Sequence, residues 1–241
     1  MLNHRHGRAT KLFLAVLSFV LFLSFSYTTY ASNFKDICNY KNYLQFVKSG
    51  SLTQDIDYET WKNTVKRNSI EENKITKLNN HILLRKPIPD EGFELRKGDV
   101  LVTNGTSSSG ITGHAGIAIS ANMILHIAGP GRYPTVINLK GWFQKYHNQY
   151  DDYTSVYRHN DYEIASQACD WAYNTYVNSQ ANYKFNLDLN STDVTYCSKL
   201  VWQAYYFGPN ICSAIKPKTN IISPYDLPYF IKGISNCHTY K

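Results

Sequence analysis

Between residues 33 and 86 the chain is rich in Lys, Asn, Glu and Asp, and its apolar or aromatic positions (Tyr43, Leu44, Phe46, Val47, then Ile56, Trp61, Val65 and Ile70) recur at helical spacing. No Gly or Pro lies between Leu52 and Arg85, so this stretch predicts one or two helices, an N-terminal extension or cap over residues 32–92. Pro87 and Pro89 break the pattern. From Phe93 the texture changes to short runs rich in Val and Ile: GDVLVTN (98–104), HAGIAIS (114–120), NMILHIA (122–128), PTVINL (134–139) and TSVYRHN (154–160). Turn clusters such as NGTSSSG and GPGR punctuate them, which predicts strands of an antiparallel sheet. Residues 161–179 return to helical spacing through Ile164, Ala168, Trp171, Ala172 and Thr175. A second helix carries the stripe Leu200, Val201, Ala204 and Tyr205 and ends at Gly208-Pro209. Strands first and helices later predict an α+β domain over residues 93–241.

Composition sharpens this picture in two ways. At 43% hydrophobic residues the chain has enough apolar material to fold. The excess of 25 Lys and Arg over 18 Asp and Glu is uneven: residues 1–31 hold Arg5, Arg8 and Lys11 and no acid, which leaves 22 basic against 18 acidic residues downstream. That mild charge, with no basic run longer than two, argues against nucleic acid as a partner. The basic start is followed by the apolar stretch LFLAVLSFVLFLSFSY and by Thr29-Tyr30-Ala31, the layout of a secretory signal peptide over residues 1–31. An uncleaved anchor over residues 12–31 is the alternative. Either reading places the remainder outside the cytoplasm, secreted or associated with the cell envelope.

Five cysteines remain, Cys38, Cys169, Cys197, Cys212 and Cys237, and an odd number in an exported chain leaves at least one thiol unpaired. Cys197 has the setting of a nucleophile. It falls in the first turn of the helix continuing SKLVWQAYY, after Asp193 and Thr195 as candidate N-caps, where the helix dipole is expected to favour thiolate. The plain alternative for any one of these residues is a small buried side chain.

A thiol that opens an amide needs an imidazole within reach. His114 opens HAGIAIS, flanked by Gly113 and Gly116, and shares a strand face with Gly116 and Ala118. A hairpin at Ser120-Ala121 would bring His126 toward the row of His114, as a group that orients the ring. Taken singly, each histidine reads as well as a partly buried, hydrogen-bonded core residue.

Together, GDVLVTN, GHAGIAIS, ILHIAGPG, LKGWFQKY and YCSKLVWQAY resemble the NlpC-type cell-wall peptidase superfamily in its circularly permuted branch, the YiiX/YebB group of permuted papain-like amidases. His114 precedes Cys197 by 83 residues, the order of that branch. The resemblance covers about residues 93–210 and implies a permuted papain-like fold. It also implies that Cys197 is the nucleophile, His114 the base, His126 the orienter and Tyr196 a support for the substrate amine or oxyanion.

The expected function is therefore that of a secreted cysteine amidase or peptidase acting on peptidoglycan stem peptides, with no metal or organic cofactor. Three alternatives stand beside it: an acyl-group hydrolase or acyltransferase using the same thiol, a non-enzymatic wall-binding module, and a metal site made of His114, His126 and Cys197. Against the last, the chain has neither CxxC nor HExxH. Among the other cysteines the expected bridges are Cys212 with Cys237 and Cys38 with Cys169, with four free thiols as the alternative.

Overall fold

The sheet is built from the Val- and Ile-rich runs. In the computed structural model, which describes residues 37–81, 93–219 and 221–241, six strands pair in the order β4-β3-β2-β1-β5-β8. They are β1 (Val100–Ser108), β2 (Ile111–Ser120), β3 (Met123–Ile127), β4 (Pro134–Asn138), β5 (Thr154–His159) and β8 (Ile234–Tyr240), and every neighbouring pair is antiparallel. The remaining strands, β6 (Asn182–Tyr183) and β7 (Val194–Thr195), form a short parallel ladder. The protein is α+β, an antiparallel sheet packed against helices. The expected signal segment and the Pro87/Pro89 boundary lie outside the described residues.

β2 is the central element. It is buried along nearly its whole length, which is why HAGIAIS reads as a continuous apolar run rather than as a clean alternation. On one side lies α3 (Leu139–Tyr146), whose Leu139, Trp142, Phe143 and Tyr146 pack with Leu101, Ala118, Ile124, Val156 and Tyr240 into one core cluster. α4 (Tyr162–Tyr176) and α5 (Cys197–Phe207) pack on each other and also meet β2. Asp161 caps α4 by accepting from the backbone N–H groups of Glu163 and Ile164, so the end of β5 feeds directly into a helix start.

Residues 43–241 form one compact unit. Within it, α2 (Tyr58–His81) is stitched to the sheet by polar side chains one turn apart. Asn68 Nδ2 donates to the Thr112 carbonyl and hydroxyl at 3.0 and 2.8 Å, and that hydroxyl donates to Glu72 Oε2 at 2.6 Å. Arg67 makes a two-pronged pair with the buried Asp226 at 3.1 and 2.8 Å. Burial pushes the Glu72 carboxyl above its usual range. The preceding helix, α1 (Tyr40–Lys48), starts where Asn39 Oδ1 accepts from the Asn42 N–H at 2.8 Å.

Two local expectations are corrected. NGTSSSG is mostly strand, because β1 runs on to Ser108 and the reversal is confined to Ser109 and Gly110, with φ of 52° and 79°. Cys169, Cys212 and Cys237 carry free thiols, so neither expected bridge forms. Two segments to which the pattern assigned no element also take shape: LKGWFQKY is a helix, started by Asn138 Oδ1 accepting from the Gly141 N–H at 2.7 Å, and the C-terminal segment holding Cys237 is an edge strand.

Candidate active site

Cys197 is the first residue of α5, and its thiol is buried. The N-cap is Tyr196, not Asp193 or Thr195, and no side chain caps the helix. Its first backbone N–H groups are therefore left over for other partners. The thiol donates to Ser198 Oγ at 4.0 Å, and the backbone N–H groups of Ala115 and Ser198 lie near enough to the sulfur to favour its anion. Ala115 immediately follows His114, so the thiol sits against the strand that carries the first histidine.

The β2-β3 hairpin pairs Ile117 with Leu125 and Ala118 with Ile124. One residue further along that register, His126 stands opposite Gly116, diagonal to His114 on the same face. The rings meet there, with His114 Nε2 lying 2.8 Å from His126 Nδ1 and the ring planes close to perpendicular, at 86°. Gly116 makes the space. A Cβ at that position would come within 2.6 Å of Ile124 Cγ2 and 3.1 Å of Trp142 Cζ3. Trp142 fills that space 5.4 Å from the His114 ring and fixes its own indole by donating to Thr154 Oγ1 at 3.0 Å. Tyr146, one turn further along α3, stacks on His114 at 4.6 Å and places its hydroxyl 3.2 Å from His126 Nδ1.

Burial sets the protonation states. His114 is pushed well below the ordinary imidazole range by desolvation first, then by the charges of His126 and Lys145. His126 falls to about 3 for the same leading reason, with Lys145 adding to it. The thiol moves the other way: desolvation raises Cys197, and the backbone donors offset only part of that. This corrects the expectation of a helix-stabilised thiolate. A dipole favours the anion only as far as the site's loss of water allows, and here the loss of water prevails. Thiol and imidazoles all rest neutral at physiological pH.

Tyr196 is fully buried, its ring 4.4 Å from Phe185 and its hydroxyl accepting from the Ile222 N–H at 3.1 Å, a geometry that anchors the start of α5. Lys199, one turn into the same helix, is also fully buried. Its ammonium donates to Asn186 Oδ1 at 3.0 Å and to the carbonyls of Asp188 and Val194 at 2.6 Å each. Burial lowers it to about 8. These three bonds tie the loop before β7 to the helix that presents the thiol. Among the described residues, no group of three His, Cys, Asp or Glu side chains is disposed to hold a metal ion.

With this geometry in hand, comparison with known proteins is informative. The family described as "Lipoprotein N-acylation protein LnsA-like" matches residues 63–233, a span that includes most of α2, the whole histidine hairpin and α5. The chain belongs to the LnsA-like family. A relative from Bacillus thuringiensis, described as an uncharacterized 30.3 kDa protein, is 38% identical over 144 residues. The match covers 56% of this chain and 53% of that protein, so the chain spans about half the length of the curated relative it matches. The crystal structure of metalloprotein YiiX from Escherichia coli O157:H7 is similar at a TM-score of 0.46 and 14% identity, over 61% of this chain and 98% of that one.

In this LnsA-like chain the sequence pattern alone misses Tyr146 and Trp142 as parts of the site. Both lie in LKGWFQKY, and a helical reading of that segment would have put them, four residues apart, on one face. Tyr183, buried and close enough to Cys197 to feel its charge, is a third residue the pattern did not single out.

Proposed function

We propose that this protein is a thiol-dependent acyl-transfer enzyme of the cell envelope, with Cys197 as nucleophile, His114 as base and His126 with Tyr146 as positioning residues. The observation that carries this is the buried Cys197 at the start of α5, the helix packed on the strand of His114, in a chain of the LnsA-like lipoprotein N-acylation family. The order of His114 before Cys197, together with a histidine hairpin packed against a cysteine-bearing helix, supports a permuted papain-like arrangement.

The chemistry follows from the tautomers. Placing the His114 proton on Nε2, donated to His126 Nδ1, keeps a lone pair on His114 Nδ1 for the thiol. Cys197 Sγ attacks the carbonyl carbon of an acyl donor while its proton passes to His114 Nδ1. The developing oxyanion draws on the uncapped N–H groups at the start of α5. Collapse breaks the bond to the donor's leaving group, which takes the proton from His114, and leaves a thioester on Cys197. An amine acceptor then attacks the thioester, loses its proton to His114, and forms an amide. The thiolate recovers that proton, so the enzyme ends unchanged. A neutral resting pair suits this sequence, since the proton moves as the carbon–sulfur bond forms.

The family match supports an acyl group carried on a lipid over the peptide stem expected from the resemblance to cell-wall amidases. The two share the first half-reaction and differ in what the thioester carries. To test the reading, the full chain and its Cys197→Ala variant are incubated with a short-chain phospholipid and with a muropeptide, and the intact mass is followed. An acyl-mass adduct on Cys197 from the lipid, discharged by an added amine, is the expected result. An adduct from the muropeptide alone would return the enzyme to the amidase class, and labelling of neither kind would remove the catalytic reading.

A further inference from the structure

β2 reaches His114 across a break in its ladder. Thr103 of β1 pairs with His114 and the next pair is Ser107 with Thr112, so residues 104–106 of one strand stand opposite Gly113 alone. Gly113 has a φ of 90°, in the left-handed region. A bulge of this kind leaves the residue beside it without the ladder that fixes register along an ordinary strand. Side chains from outside the sheet supply the constraint instead. Asn68 of α2 holds the Thr112 carbonyl at 3.0 Å, and with it the peptide plane that leads into Gly113. Its amide also meets the Thr112 hydroxyl at 2.8 Å, and that hydroxyl donates to Glu72 Oε2 at 2.6 Å. The Tyr225 ring closes on Gly113, with Cε2 and Cζ each 3.0 Å from where a Cβ would lie. Two turns earlier in α2, Trp61 Nε1 donates to the Ser109 carbonyl at 2.7 Å, so one helix grips residues 109–112 at both ends.

Asn68 is 1% exposed, and its own Oδ1 has no hydrogen-bond partner. A buried oxygen left unpaired lowers stability, so this amide satisfies Thr112 while leaving itself incomplete, as a contact that fixes a position does and one that only fills space need not. His114 needs such a constraint. Its Nε2 meets His126 Nδ1 at 2.8 Å with the ring planes at 86°, and a hydrogen bond weakens steeply once its direction is lost. We infer that Asn68 and Glu72 are positioning residues, which hold the His114 ring on His126 through Thr112 and the bend at Gly113. Which reaction this serves rests on the acyl-transfer reading, while the hold on His114 stands on the hydrogen bonds by themselves. On this account α2 belongs to the frame of the site.

Two readouts on the full chain, one spectroscopic and one kinetic, test this. The imidazole proton shared by His114 Nε2 and His126 Nδ1 is followed by NMR of protein carrying isotope-labelled histidine, and is assigned by its absence from His114→Gln. Acyl-enzyme formation on Cys197 with dihexanoyl phosphatidylglycerol is followed by mass in single turnovers, each rate corrected to the folded fraction. Asn68→Leu and Glu72→Leu should shift or abolish the shared proton and lower the rate at saturating lipid by roughly 10- to 100-fold, the scale of a misplaced catalytic group. The half-saturating lipid concentration should not change. Glu72→Gln, which can still accept from Thr112, should keep both readouts at their wild-type values. Thr112→Val, which retains the carbonyl bond and removes only the hydroxyl, replaces a leucine variant that does not fold and should show the same two changes at smaller size. A shared proton unmoved in these variants, or a moved one with an unchanged saturating rate, would overturn the positioning role. A loss confined to the folded fraction or to lipid affinity would overturn it too. If wild-type Cys197 forms no thioester, the acyl-transfer reading falls and the shared proton alone decides the inference. A thioester formed normally while that proton stays in place in every variant sinks the inference and keeps the reading.

Discussion

His114 and His126 share a hydrogen bond of 2.8 Å between Nε2 and Nδ1, made across the hairpin beside a glycine and walled by Trp142 and Tyr146. A buried imidazole is useful as a base only if one ring nitrogen is committed, since that choice fixes where the other lone pair lies.

Replacing His126 with Ala should therefore lower acyl-enzyme formation by about 100-fold, because His114 loses the partner that sets its tautomer. His126→Asn, which can still accept at a similar place, should recover part of the loss. Tyr146→Phe keeps the stack on His114 and removes only the hydroxyl bond, so its effect should be smaller, about tenfold. Single-turnover mass kinetics on the three variants would show the ranking. An unchanged rate in His126→Ala would exclude the orienting role.

The pH dependence of the free thiol is fixed by burial. With Cys197 raised above the usual thiol range and His114 lowered, no ion pair protects a thiolate near neutrality. The alkylation rate of Cys197 by iodoacetamide should climb about tenfold per pH unit from pH 7 to 9 with no plateau. A plateau below pH 7 would mark a resting thiolate–imidazolium pair instead.

Gly116 is where the hairpin admits the indole. Gly116→Ala drives a methyl into Ile124 and Trp142, neither of which has room to retreat in the core, and should destabilise the fold by about 1–3 kcal/mol. Activity should fall further than stability accounts for, since Trp142 also walls His114. Denaturant unfolding paired with the mass assay separates the two losses.

Lys199 offers a stability test away from the chemistry. Lys199→Met leaves the buried Asn186 Oδ1 and two partly buried carbonyls without their donor and should cost about 1–3 kcal/mol. The folded state holds this ammonium at about 8 against a reference of 10.5, so between those values the unfolded chain binds more protons. This group's contribution to wild-type stability should therefore rise with pH across that window, a slope absent from the Met variant.

Cys212 and Cys237 are exposed free thiols, and both should be alkylated in the native protein without prior reduction. Non-reducing peptide mapping that found them joined would contradict the structure.

The local features were legible from the chain because their causes are local. HAGIAIS and NMILHIA read as strands from β-branched content and flanking turn residues, residues 162–176 read as a helix from apolar spacing, and Cys197 falls at a helix start. The edge strand around Cys237 escaped notice because its seven residues are mostly polar or half-exposed, with only Tyr240 buried. LKGWFQKY escaped because eight residues give barely two turns in which to show a period.

By itself, then, the sequence determined the strands that carry the two histidines, the helix that carries Cys197, and the histidine-before-cysteine order. Only the tertiary structure decided the charge state of that site, the partnership of Tyr146 with the two histidines and the lack of the expected bridges. Periodicity and turn chemistry are settled by neighbours a few residues apart. Desolvation of Cys197 and His114 depends on what packs around them from remote segments, and that outweighs a helix dipole which the sequence alone would have allowed to prevail.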